Sequence, residues 1–263
     1  MTEETSGRDW LADADTAAGL LRTARRLFVI TGAGISADSG LPTYRGIGGL
    51  YDDTHTEDAI PIEQALSGSM LARRPAITWK YLAQIERACR GARHNRAHEL
   101  LAAFDRHFEH VCVLTQNIDG FHRDAGSRHL IEMHGDVRRL LCTACDWRTR
   151  IADFDELPPG MPPACPACGE PVRPDVVLFG EMLPEAALSR YYRELDAGFD
   201  VVLSIGTTSV FPYIAGPVVA AVQAGIPSIE INPGETSVSR IVDVRIRTGA
   251  AAALTALAER IGI

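Results

Sequence analysis

The segment Phe28-Val-Ile-Thr-Gly-Ala-Gly-Ile-Ser-Ala-Asp-Ser-Gly40 joins a short apolar run to a glycine-rich turn. The apolar run is typical of a buried strand, and Gly32, Gly34 and Ala37 follow it at the spacing G-x-G-x-x-G/A. Glycines at this spacing permit a tight turn and let a pyrophosphate approach the start of the next helix. The segment therefore predicts a dinucleotide-binding strand, turn and helix, although such a turn can also be purely structural.

Three more apolar runs end as abruptly as the first one, and stretches with helical spacing separate them. The predicted strands are residues 27–31, 111–115, 201–205 and 228–231, and the predicted helices include residues 12–26, 98–108 and 212–224. Strands that alternate with helices predict an α/β fold with a doubly wound, mainly parallel sheet. In such sheets ligands bind beyond the carboxyl ends of the strands, where glycine and small polar residues follow here.

An ordinary dinucleotide-binding dehydrogenase would add a second strand that ends in an acidic residue about 20 positions after the glycines. In this chain the corresponding region, residues 52–58, has the composition of an acidic loop. A dehydrogenase is therefore a poor match.

Four of the six cysteines form two C-x-x-C pairs, Cys142 with Cys145 and Cys165 with Cys168. The 19 residues between the pairs match a four-thiolate zinc ribbon, and two redox dithiols are the alternative. Four thiolates complete a tetrahedral shell, so such a zinc would be structural, with no open position for catalysis.

His134 lies in Ile131-Glu-Met-His-Gly-Asp136, just before the cysteine-rich module. It is either a turn residue or a general base, since an imidazole with a pKa near 6.5 accepts a proton at neutral pH. We expect His98 to serve helix packing and His122 to lie at the surface or in a loop.

The formal net charge of −8 over 263 residues disfavours a nucleic acid as the main partner. There is no apolar run of about 18 residues, and the first nine residues are polar and acidic. We therefore expect a cytoplasmic protein without a membrane partner.

Six motifs resemble the sirtuin family, of the bacterial type, in their order and spacing. They are the segment from Gly32 to Gly46, Thr115-Gln-Asn-Ile-Asp119, His134-Gly135 with the two cysteine pairs, Arg173-Pro-Asp-Val-Val-Leu-Phe-Gly-Glu181, Gly206-Thr-Thr-Ser209 and Ile231-Asn-Pro-Gly-Glu-Thr236. The resemblance implies a Rossmann-like NAD-binding domain (residues 24–45, 97–139 and 175–263) and a small zinc-binding domain formed by insertions (residues 46–96 and 140–174). Residues 1–23 would be an N-terminal extension.

The resemblance also implies an NAD-dependent protein lysine deacylase, for which deacetylation is the preferred activity. The acyl group would pass from lysine to ADP-ribose, with release of nicotinamide and free lysine, and His134 would take a proton from a ribose hydroxyl. NAD would be consumed as a co-substrate and one Zn²⁺ would be structural. An ADP-ribosyltransferase or NAD glycohydrolase, and a non-catalytic NAD sensor, are the alternatives.

The resemblance assigns roles to individual positions. The catalytic residues would be His134, Asn117 and Asp119. NAD would be bound by Gly32, Ala33, Gly34, Ser36, Thr43, Tyr44, Arg45, Gln116, Asn117, Ile118, Asp119, Gly206, Thr207, Ser209, Asn232, Pro233 and Ala250. The acylated peptide would add as a strand along Val176, Val177, Phe179, Gly180 and Glu181.

Two departures from the family pattern concern rate and acyl preference. Thr43 and Tyr44 stand where many relatives have Asp and Phe, so Thr43 supplies no carboxylate. Members that remove succinyl or malonyl groups carry a Tyr-x-x-Arg pair, because arginine binds the acyl carboxylate in a bidentate way. The best alignment places Leu82 and Ile85 there, and Tyr81 with Gln84 also fails, which predicts neutral acyl groups.

Overall fold

The computed structural model describes residues 10–42, 56–158 and 160–263. The strands are β1 Arg26–Thr31, β2 His110–Thr115, β3 His129–Glu132, β4 Gly135–Cys142, β5 Arg148–Arg150, β6 Val172–Val176, β7 Val201–Ile205, β8 Ser228–Ile231 and β9 Val244–Ile246. The helices are α1 Trp10–Leu21, α2 Ile62–Ala65, α3 Gly68–Arg73, α4 Pro75–Cys89, α5 Arg96–Phe104, α6 Phe121–Asp124, α7 Glu185–Ala197, α8 Pro212–Gln223 and α9 Ala250–Ile261.

Six strands form one parallel sheet in the order β3-β2-β1-β7-β8-β9. The chain builds outward from β1 to β3, then returns to place β7 on the other side of β1. The strand order therefore reverses between β1 and β7. A doubly wound sheet opens a crevice at this point, beyond the carboxyl ends of the two strands. The predicted α/β, doubly wound class is confirmed.

Both faces of this sheet are covered, and β1 shows why its sequence is apolar throughout. Leu27 and Val29 pack into the cluster with α1, α5 and α9, whereas Phe28 and Ile30 pack into the cluster with α7 and α8. Successive side chains point to opposite faces of a strand, so a strand between two helical layers needs apolar residues at every position.

The second sheet is antiparallel, with the order β5-β4-β6, and it packs with α2 to α4. Trp79 is fully buried in this core, and its indole nitrogen donates to the carbonyl oxygen of Val172 at 3.1 Å. This core therefore joins residues of the two stretches that were assigned to the small domain. The exact domain boundaries stay a prediction.

Two of the predicted helices have different ends. The helix predicted over residues 12–26 ends at Leu21, because the backbone amides of Arg25 and Arg26 both donate to the Asp200 carboxylate at 2.8 Å as the chain enters β1. The helix predicted over residues 98–108 spans Arg96–Phe104, so it ends four residues sooner; it begins at Arg96 because Asn95 caps it in a reciprocal arrangement with His98. No helix in the described ranges is long and apolar enough to span a bilayer.

Candidate active site

Two glycine turns lie against each other at the carboxyl ends of β1 and β7. The amide nitrogen of Gly34 donates to the carbonyl oxygen of Gly206 at 2.8 Å. A Cβ on Gly34 would lie 2.6 Å from the Cα of Gly206, and Gly206 itself has a φ of 59°. Only glycine fits at both positions, which explains why the sequence has these residues where the strand order reverses.

Side chains that directly follow β2 and β8 extend the same edge through hydrogen bonds. The Gln116 amide donates to the Thr207 hydroxyl at 2.8 Å, and the Asn232 amide donates to the Thr207 carbonyl oxygen at 3.2 Å. Ser209 is buried beside them, with its hydroxyl 3.3 Å from that of Ser204. The sequence predicted that these residues bind one dinucleotide. In the structure they lie side by side at the carboxyl-end edge of the large sheet.

Asn117 and Ser36 are buried next to the first glycine turn, and the half-buried Asp119 completes a polar group with them. Asn117 donates to the carbonyl oxygen of Gly32 at 3.0 Å and to the hydroxyl of Ser36 at 3.2 Å. The Ser36 hydroxyl donates to the Asp119 carboxylate at 2.7 Å. Burial raises the pKa of Asp119, although hydrogen bonds from the Phe121 amide and from Ser36 oppose the shift.

A small pocket opens onto this polar group. Apolar and polar side chains share its wall, which consists of Ala33, Ser36, Leu41, Pro42, Ile85, Cys89, Asn117, Ile118 and Asp119. Amide and carboxyl groups at one end can bind a carboxamide, and the apolar remainder excludes water from it.

His134 lies at the junction of the two sheets, between β3 and β4. Its Nδ1 lies 3.0 Å from the carbonyl oxygen of Gln116, and its Nε2 lies 2.6 Å from the hydroxyl of Tyr213. Burial lowers the pKa of His134, and the Gln116 carbonyl partly opposes this. The imidazole is therefore neutral at pH 7 and able to accept a proton.

Tyr213 was not predicted from the sequence. It lies in the first turn of α8, far along the chain from His134, and a tyrosine after a proline at a helix start carries no motif. His122 was predicted to lie at the surface or in a loop, and this was wrong. Its side chain is buried, with Nε2 2.9 Å from the Thr31 hydroxyl, because α6 packs on the sheet beside His98.

The segment after β6 leads from the second sheet towards His134. The amide of Val177 donates to the carbonyl oxygen of His134 at 2.9 Å. The amide of Phe179 donates to the carbonyl oxygen of Leu66, also at 2.9 Å. The Phe179 side chain is 41% exposed, whereas Val176 is buried. Glu181 pairs with Arg173 through both carboxylate oxygens, at 2.6 and 2.9 Å.

The remaining positions predicted to bind NAD include some that the structure describes and some that lie outside the described residues. Pro233 follows Asn232 beyond β8, and Ala250 begins α9, whose Ala251 amide donates to Asp38 of the first turn at 3.0 Å. Thr43, Tyr44 and Arg45 lie outside the described residues.

The four cysteines of the two C-x-x-C pairs converge at one end of the second sheet. Their sulfur atoms all lie within 4.8 Å of one another, with 3.5 Å between Cys142 and Cys168 and 3.7 Å between Cys145 and Cys165. Tetrahedral zinc with Zn–S bonds of about 2.3 Å requires sulfur atoms roughly 3.8 Å apart. The geometry and the all-thiol donor set fit a structural zinc ion.

A family model described as the Sir2 family matches residues 32–212, which is more than half of the chain. This chain belongs to the Sir2 family. The match covers the first glycine turn, the residues after β2, His134 and the four cysteines.

Relatives and solved structures agree with Sir2 membership. The chain is 54% identical over 233 residues to an NAD-dependent protein deacylase 2 of Pseudomonas aeruginosa, covering 88% of this chain and 90% of the relative. It is 36% identical to an NAD-dependent protein deacylase of Thermococcus sibiricus, covering 87% and 88%.

Among solved structures, a Sir2 homologue in complex with NAD superimposes with a TM-score of 0.82 at 34% identity, over 94% of this chain and 93% of that one. A Sir2 protein with a deacetylated p53 peptide and 3′-O-acetyl-ADP-ribose superimposes with a TM-score of 0.84 at 27% identity, over 94% and 98%.

Proposed function

We propose that this Sir2 protein is an NAD-dependent protein lysine deacylase, with deacetylation as its preferred activity. The observation that carries the proposal is the half-buried, neutral imidazole of His134, which lies between the glycine turns of the large sheet and the segment after β6. The named activities of the relatives support it.

The donor groups along the sheet edge are suited to NAD. Amide and hydroxyl side chains of Gln116, Thr207 and Asn232 are donors and acceptors for ribose hydroxyls, and the close-packed glycine turns leave room for phosphates. Asn117 and Asp119 would hold the carboxamide of nicotinamide in the small pocket. Bound NAD supplies the electrophilic sugar carbon and nicotinamide as the leaving group.

The work of His134 is to hold and accept a proton. A carbonyl oxygen can only accept, so the hydrogen bond to Gln116 fixes the proton on Nδ1 and leaves the lone pair on Nε2. A ribose hydroxyl whose proton is removed towards Nε2 can attack the acyl carbon. The half-exposed Phe179 would cover the alkyl stem of the acylated lysine and keep water out.

The acyl group that the protein removes preferentially would be uncharged. Leu82 and Ile85 are both buried in the core around α4, and Ile85 lines the small pocket. The hydroxyl of Tyr81 donates to the Asp58 carboxylate at 2.6 Å, so it is already engaged and is not offered to an acyl group. A carboxylate-bearing acyl group would meet no positive charge from these positions, and an unpaired buried charge is costly.

The same proposal includes a cytoplasmic location and a lysine-containing protein partner in place of a nucleic acid. Thiols grouped as metal ligands are typical of a reducing compartment, and the negative net charge suits a basic peptide better than a phosphate backbone.

The deciding experiment compares the wild type with His134→Ala, using NAD and an acetyl-lysine peptide. We expect the deacetylation rate to fall by about 10²- to 10⁴-fold, the usual contribution of a general base. His107→Ala is the matched control, since His107 is exposed beyond α5. Equal losses in both variants, or no loss in His134→Ala, would contradict the assigned role.

A further inference from the structure

Tyr213 contacts the candidate base at the atom that must do the chemistry. Its hydroxyl oxygen lies 2.6 Å from Nε2 of His134, a short hydrogen bond between groups 79 positions apart in the chain. The contact forms because α8 packs into the same core as Ile131 and Met133, the residues just before His134.

The direction of this hydrogen bond follows from the other side of the ring. Nδ1 of His134 donates to the Gln116 carbonyl oxygen, and burial keeps the imidazole neutral, so Nε2 carries a lone pair and no proton. The Tyr213 hydroxyl must therefore donate. Burial raises the pKa of Tyr213 to about 12, so the phenol retains its proton at neutral pH.

Neighbouring groups hold the phenol in place. The ring of Phe211 stacks on that of Tyr213, with centroids 5.6 Å apart and planes at 16°, and meets the His134 ring edge-on at 6.2 Å. The hydroxyl of Tyr191 donates to the backbone carbonyl of Tyr213 at 3.1 Å. These contacts restrain both the ring and the backbone of Tyr213.

The hydrogen bond occupies the only lone pair of the base. An imidazole nitrogen has one in-plane lone pair, so a sugar hydroxyl cannot contact Nε2 while Tyr213 donates to it. The phenol oxygen has two lone pairs of its own, which remain free to accept a second hydroxyl. The residues of the site therefore present a tyrosine oxygen to the sugar, with the histidine behind it.

We propose that Tyr213 is a catalytic proton relay between the ribose hydroxyl and His134, an inference that rests on the proposed deacylase function. The ribose O–H bond breaks and its proton passes to the Tyr213 oxygen, while the phenolic proton passes to Nε2. Tyrosine is regenerated, His134 becomes an imidazolium, and the sugar oxygen keeps the electron pair with which it attacks the acyl carbon. No oxidant or reductant is needed.

The test uses Tyr213→Phe in the full-length chain. This substitution keeps the ring, and hence the stack with Phe211, and removes only the hydroxyl. Tyr192→Phe is the matched control because Tyr192 is an exposed tyrosine on α7. Three quantities are measured: the deacetylation rate, the exchange of labelled nicotinamide into NAD in the presence of acetyl peptide, and the melting temperature.

A relay predicts that Tyr213→Phe lowers deacetylation by about 10- to 100-fold, within the range of proton-transfer catalysis, and leaves nicotinamide exchange and melting temperature near wild type. The double variant with His134→Ala should be no slower than His134→Ala alone, because both act in one step. The acid limb of the rate profile should move to higher pH, since the lost donor had stabilised neutral His134.

Deacetylation within about twofold of wild type in Tyr213→Phe, or faster than wild type, would overturn the relay; the faster result would identify a hydroxyl that merely blocks the base. Multiplicative losses in the double variant would also overturn it. If the wild-type protein neither deacetylates the peptide nor exchanges nicotinamide, the proposed deacylase function itself is contradicted.

Discussion

The amide nitrogen of Gly34 lies 2.8 Å from the carbonyl oxygen of Gly206, and this contact joins the two turns on which the nucleotide edge is built. A Cβ at Gly34 would meet the backbone of Gly206 at 2.6 Å. Backbone cannot swing aside as a flexible side chain can, so the turns would have to separate.

We expect Gly34→Ala to lower the free energy of unfolding by about 1 to 3 kcal/mol, the usual cost of overpacking, and to weaken NAD binding. Gly19→Ala is the control, since an added Cβ there in α1 meets nothing within 4 Å. It should stabilise the protein by up to about 1 kcal/mol through helix propensity. Chemical denaturation and NAD titration check both. Wild-type stability in Gly34→Ala would show that the turns are not pressed together.

Removal of the zinc should unfold the second sheet around β4 and β6. Four thiols within 4.8 Å of one another are held together by a cation and otherwise repel when ionised. Metal analysis should give one zinc per chain, and Cys165→Ser should lose the metal with a lower melting temperature. Cys89→Ser, which changes a cysteine outside the group, should keep it. Full zinc content in Cys165→Ser would refute the four-cysteine site.

The raised pKa of Asp119 has a definite consequence for stability. A carboxyl whose folded pKa lies above its unfolded value costs stability once the pH rises above the unfolded pKa of about 3.9, and the cost grows until the pH passes the folded pKa. Asp119→Asn carries no such charge. The difference in unfolding free energy, variant minus wild type, should therefore increase from pH 4 upward.

Denaturant titrations of both proteins at several pH values measure this difference. The same variant should lose deacylation, because an amide cannot replace both accepting oxygens that bind Ser36 and the Phe121 amide. A difference in stability that is independent of pH would mean that Asp119 does not titrate abnormally in the fold.

The sequence predicted the core of the fold for a physical reason, and the structure brings most of the described residues proposed for the site close together. Each of the four predicted strands agrees with the structure to within one residue, because buried parallel strands are apolar throughout and end in glycine or polar residues. The three strands of the second sheet were missed, and so were the short strands β3 and β9 of the parallel sheet. Both lie at sheet edges, where residues such as Glu132 and Arg245 interrupt the apolar run.

The part that could not be predicted depends on contacts between distant segments. His134 and Tyr213 meet only because α8 packs into the same core as Ile131 and Met133, the residues just before His134. The burial of His122 likewise follows from the packing of α6 and not from its neighbours in sequence. Local patterns carry no information on such pairs.

The acyl preference is tested with one peptide that carries acetyl-, butyryl- or succinyl-lysine. We expect kcat/KM for acetyl and butyryl to exceed that for succinyl, since Ile85 and the buried Leu82 provide no positive charge for a carboxylate. Butyryl controls for length, because it has the same four-carbon chain without the charge. Succinyl turnover above acetyl turnover would refute the neutral preference.

The most direct test of the deacylase itself is a product balance by mass spectrometry with wild-type protein, NAD and an acetyl-lysine peptide. We predict equal amounts of nicotinamide, deacetylated peptide and O-acetyl-ADP-ribose. Nicotinamide release while the peptide keeps its acetyl group would contradict it, and would identify an NAD glycohydrolase or an ADP-ribosyltransferase instead.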